Sequence, residues 1–101
     1  MRAVVINEYG DVDKLNFQEI ETPTAGPGEA IVKIKGAGVN HLDHDIREGV
    51  SGFPISLPHV PGIEGAGEVV EVGKNVKISK VGDRVGISLL APCNCCNMCR
   101  S

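Results

Sequence analysis

Pro61-Gly62-Ile63-Glu64-Gly65-Ala66-Gly67-Glu68-Val69-Val70 is the stretch on which the reading of this chain turns. Gly65-Ala66-Gly67 suggests the phosphate-binding turn of a dinucleotide fold, but the position that needs the third glycine is Val70, and no helical pattern follows. The segment Gly65 to Val72 instead reads as a strand that runs into a turn at Gly73-Lys74-Asn75-Val76. Without the fingerprint, the chain contains no recognisable site for the adenine half of a dinucleotide.

Working outward, the neighbouring segments carry the same short-strand signature. Glu29 to Lys35 sets Ala30, Val32 and Ile34 against Lys33 and Lys35, the pattern of a strand with one wet face. Met1 to Ile6 and Leu15 to Ile20 read as two strands joined in hairpin fashion through the polar turn Asn7 to Asp11. Arg84 to Leu90, entered through Val81-Gly82-Asp83, predicts another strand. One short helix is expected after Asn40, which can cap it; Leu42 and Ile46 lie one turn apart and Gly49 supplies the stop. Phe53 to Pro61 carries three prolines and should be an irregular loop.

Composition agrees. The 101 residues suffice for one domain, and 42% hydrophobic with 23% charged residues is ordinary for a folded soluble protein. Thirteen glycines and six prolines favour strands and tight turns over helices. A net charge of -3 without a cationic cluster disfavours nucleic acid as a partner. No segment approaches the ~18 apolar residues of a membrane span, and the opening apolar run is too short for a signal peptide. The expectation is a cytoplasmic protein with no membrane partner. Tyr9, Phe17 and Phe53 are scattered and read as core side chains rather than a pocket.

All four cysteines fall between Cys93 and Cys99, too close together to staple distant parts of the chain. Cys93, Cys96 and Cys99 are spaced C-x2-C-x2-C, which lets one loop point three thiolates at one ion about 2.3 Å away. Zinc is the first reading; an iron-sulfur cluster and unmetallated thiols are the alternatives. Cys95 reads as a spare thiol. A structural zinc site wants a fourth ligand, and the sequence stops two residues after Cys99.

These features together resemble the medium-chain dehydrogenase/reductases, which include zinc alcohol dehydrogenases and quinone oxidoreductases. The carriers are Gly26-Pro27-Gly28-Glu29, Gly38-Val39-Asn40-His41-Leu42-Asp43, Pro61 to Val70, Val76 with Val81-Gly82-Asp83-Arg84-Val85, and the cysteine loop. The resemblance implies a mainly β, GroES-like, partly open β-barrel with a short helix and irregular loops. It implies that residues 1–101 are the N-terminal catalytic domain, stopping within the structural zinc loop, with the Rossmann domain absent. Cys93, Cys96 and Cys99 would hold structural zinc, the fourth cysteine lying further on.

For the intact enzyme the resemblance implies hydride transfer between NAD or NADP and a carbonyl, quinone or enone, with a small-molecule substrate and a homo-oligomeric state. Asn40 stands where zinc alcohol dehydrogenases carry a cysteine and Ile63 where they carry a histidine, so an ordinary catalytic zinc site is not expected. Asn40 resembles the asparagine that quinone-oxidoreductase relatives place beside the nicotinamide, and His41 matches a position that contacts the cofactor pyrophosphate in some relatives. Asp43 and Glu64 match acidic positions near the catalytic centre; both are also explicable as solvated or turn-capping carboxylates. Asp45 replaces a proton-relay histidine of one branch. His41, His44, His59 and Glu64 are the residues from which a rearranged metal site could be built. Against that, His44 reads as a surface residue and His59, between Pro58 and Val60, as packed in its loop. The second reading of the whole chain is a free-standing, non-catalytic GroES-like zinc-binding or interaction module.

Overall fold

The computed structural model describes residues 1–52, 54–89 and 96–100. Its elements in order are β1 (Arg2–Ile6), β2 (Leu15–Glu19), β3 (Ala30–Gly38), α1 (His41–Glu48), β4 (Glu64–Val72), β5 (Arg84–Gly86) and α2 (Asn97–Arg100). The architecture is mainly β, as expected, in two open sheets: β1 with β2, and β3-β4-β5.

The first sheet is an antiparallel hairpin running from Arg2↔Glu19 to Ile6↔Leu15. Its connection contains a 3-10 turn, Val12–Lys14, started by Asp11, whose carboxylate accepts from the Val12 N–H at 2.7 Å. The loop before β4 docks on the hairpin through His59, which exchanges two 2.9 Å backbone bonds with Ile6. His59 is half-buried there.

In the second sheet β3 runs three residues past the expected Lys35, because β4 supplies partners as far as Gly38↔Glu64. That pairing depends on Gly67: a Cβ there would collide with the Lys33 carbonyl across the ladder, so only glycine allows the backbones to approach this closely. The expected strand Arg84–Leu90 is shorter than predicted, with β5 ending at Gly86. Ile87 still donates to the Gly65 carbonyl at 2.9 Å, but β4 begins at Glu64, and Pro61 before it has no N–H with which to continue a ladder. Leu90 and Phe53 lie outside the described residues.

Helix α1 forms where predicted. Asn40 is its N-cap in extended backbone, and Gly49 closes it at φ 81, the left-handed conformation that suits glycine. Its apolar stripe puts Ile46 into a small core with Val5, Ile6 and Val69, each worth about 1.5–3 kcal/mol when fully buried. The aromatics depart from expectation: Tyr9 is 42% and Phe17 67% exposed. Tyr9 lies against Gly49, and Phe17 carries the Arg2 guanidinium 5.5 Å from its ring centroid. With so few fully buried side chains, there is little core for either ring to enter. Among the described residues no helix is long and apolar enough to cross a membrane.

Candidate functional site

Three elements converge where β3 ends, α1 begins and β4 starts. The Gly38↔Glu64 pairing carries β3 beside the first residue of β4, and two residues further on Asn40 opens α1. Glu64 and Asn40, 24 positions apart, meet there: the Asn40 Nδ2 donates to Glu64 Oε1 at 3.4 Å, a long bond at an exposed position. Gly38 makes room for this arrangement, since a Cβ at that position would overlap the Glu64 carboxylate.

Asp43 holds the other side of Asn40. Its Oδ2 accepts from the Asn40 N–H at 2.8 Å, and its own N–H donates to the Asn40 carbonyl at 3.0 Å. These bonds satisfy donors that the helix start leaves without partners. Asp43 Oδ1 is buried with no partner among the described residues, which leaves an acceptor position over.

Two cavities share Pro61, Gly62, Glu64 and Ala37 as walls. One, of about 340 Å³, is bounded by Ile34, Ile63, Ile87 and Leu89, with Glu64 and Ser88 as its polar contacts. The other, of about 470 Å³, is bounded by Val4, Leu15 and Val39 together with Asp43, His44 and Arg47. Glu64 thus stands at the rim of an apolar recess and of a second one with a charged wall.

Arg47 escaped the sequence reading. It is the one buried charged residue among those described, at 9% exposure. Its Nε donates to the Gly10 carbonyl at 3.2 Å while its own carbonyl accepts from the Gly10 N–H at 3.0 Å. These reciprocal bonds tie the β1–β2 turn to the last turn of α1. The available signal was its position one turn after Asp43, on the same helix face.

His41 projects from the first turn of α1 with its side chain 86% exposed. His44 stacks on it, ring centroids 5.7 Å apart. The two histidines do share a face, but no group of three His, Cys, Asp or Glu side chains among the described residues is placed to hold a metal ion. The His59 backbone pairs with Ile6, and the Glu64 carboxylate accepts from Asn40. Of the cysteine loop, Cys96 is exposed in a bend before α2; Cys93, Cys95 and the Cys99 thiol lie outside the described residues.

Residues 26–101 match the alcohol dehydrogenase GroES-like domain. An alcohol dehydrogenase of Geobacillus stearothermophilus is 45% identical over 100 residues, covering 98% of this chain and 29% of that protein. The cobalt- and zinc-bound thermostable alcohol dehydrogenase from Pyrobaculum aerophilum superposes with a TM-score of 0.90 at 38% identity, over 99% of this chain and 30% of that one. Escherichia coli quinone oxidoreductase complexed with NADPH superposes at 0.79 and 35% identity, over 85% and 26% respectively. The chain spans less than a third of the length of each of these relatives. It belongs to the alcohol dehydrogenase GroES-like domain family, the N-terminal domain of the medium-chain dehydrogenase/reductase superfamily.

Proposed function

We propose that the intact protein is an oxidoreductase that transfers hydride between NAD or NADP and a carbonyl, quinone or enone. In this reading residues 1–101 form the substrate-side domain, a Rossmann domain follows, and the reacting centre works without a ligated metal. The observation that carries the proposal is the Asn40–Glu64 contact at the mouth of an apolar recess. The family's zinc members imply a metal at this place, but the donor set here does not suit one. Ile63 has no ligating atom and the Asn40 amide is a poor substitute for a thiolate, so of these three only Glu64 is a strong donor.

The nicotinamide supplies the hydride when bound. The chain's own residues position and polarise. Glu64 and Asp43 hold Asn40 from two sides, one at its side chain and one at its backbone N–H. A side-chain amide so held can donate to an oxygen on which negative charge develops. Ile34, Ile63, Ile87 and Leu89 give the recess an apolar wall that suits a small apolar substrate. His41, exposed at the start of α1, is assigned to contact with the cofactor's phosphates.

Cys93, Cys96 and Cys99 are assigned to a structural zinc with a fourth donor outside this chain, in keeping with a zinc-bound relative. The NADPH complex of another relative supports the nicotinamide assignment. A homo-oligomeric, cytoplasmic enzyme is the expected setting. The test is Asn40→Ala in the full-length enzyme, with NADH or NADPH oxidation followed against quinones, enones and aldehydes. Loss of one oxyanion donor should lower kcat by about 10²–10³-fold. Unchanged kcat would remove Asn40 from the reacting centre.

A further inference from the structure

The outer face of α1 carries a cluster that the reacting centre does not use. Asp45 Oδ1 lies 3.4 Å from His41 Nε2 and 3.4 Å from His44 Nδ1, while His44 Nε2 lies 3.2 Å from Glu48 Oε1. The two imidazoles are stacked, 20° from parallel. His44 is therefore engaged by carboxylates at both ring nitrogens. His41 is engaged at Nε2 alone, so its Nδ1 is the position left to face an incoming group.

We propose that Asp45 is a positioning residue for cofactor binding: with the stacked His44 behind it, it fixes the His41 ring so that Nδ1 is presented to a phosphate. This inference rests on the reading of His41 as a phosphate contact. An 86% exposed side chain standing alone would sample several rotamers, and fixing it on binding costs affinity. Asp45, at 28% exposure, is more buried than the ring beside it. Helical spacing accounts for the geometry, since His41–Asp45 and His44–Glu48 are both i,i+4 pairs.

Removing Asp45 also removes a negative charge that opposes phosphate, so the experiment compares two uncharged variants. Asp45→Asn keeps an oxygen that can accept from the imidazoles, and Asp45→Ala does not. Each form is made in the full-length enzyme and titrated with inorganic pyrophosphate under conditions where imidazole is protonated. The ring nitrogen and carbon signals of His41 and His44 are followed by NMR, and melting curves check that each variant folds. Asp45→Ala should bind pyrophosphate about fivefold more weakly than Asp45→Asn and shift the His41 ring signals. Equal affinities with unmoved His41 signals overturn the role of Asp45. Pyrophosphate that leaves His41 undisturbed in the unmodified chain overturns instead the phosphate reading on which that role rests.

Discussion

Replacing Arg47 by methionine should cost this domain far more than its surface charges would. The Arg47 side chain is 10% exposed, yet its carboxylate neighbours Asp11 and Glu48 are 83% and 38% exposed. Methionine preserves the packing of the stem, and both carboxylates can rehydrate, so little is lost from the ion pairs, which are worth about 0–1 kcal/mol in such settings. What disappears is the bond from a charged donor to the Gly10 carbonyl, worth about 1.5–3 kcal/mol. The sum is about 1.5–4 kcal/mol, or a fall of about 6–30 °C in Tm for a chain of this size. Urea unfolding followed by circular dichroism measures it, and the slope with denaturant should stay constant. Arg47→Lys keeps the charge but not the Nε donor, and should recover less than half of the loss. A change below about 0.5 kcal/mol, the range of an ordinary surface substitution, would refute the inference that Arg47 pins the hairpin turn to α1.

Gly67→Ala should prevent stable pairing of β3 and β4, because the collision is with the Lys33 backbone carbonyl and no side-chain rotation relieves it; a cooperative unfolding transition close to that of the parent chain would contradict this. The bond to Glu8, then the Glu8 charge and the Asp13 charge, raise the Lys14 ammonium above its ordinary value of 10.5. Stability from that group is fully present below the ordinary value and fades as pH rises through the folded one. The stability difference between the parent chain and Lys14→Met should therefore shrink in strongly alkaline solution, and a difference that grows there would be the wrong sign.

Helix α1 and its limits were legible because its signals are local: Asn40 caps it, and Gly49 alone there tolerates positive φ. The strands were legible from alternation and from the glycines near their ends, but the far end of β3 and the length of β5 were not. That length is set by where β4 begins, a property of the partner. The same difference separates the parts of the candidate site. Asn40, Asp43 and Glu64 could be singled out by resemblance, and Asp43 bonding to Asn40 follows from helix-start spacing. The Asn40–Glu64 contact and the space at Gly38 that permits it depend on strand register. Arg47 stayed hidden because its partner, Gly10, is 37 residues away and a backbone carbonyl leaves no mark in a sequence. Tyr9 and Phe17 were assigned to a core too small to take them.

A reacting centre without a ligated metal, in a protein with zinc in its cysteine loop, is tested by zinc stoichiometry. Plasma mass spectrometry of the full-length enzyme, before and after Cys96→Ser, counts the ion and locates it. One zinc per chain, lost in the variant, is the expected result. Two zincs per chain, or a single zinc that survives the Cys96 substitution, would mean that a metal sits among the helix histidines and Glu64, and would contradict the assignment of Asn40 and Glu64 to a metal-free centre.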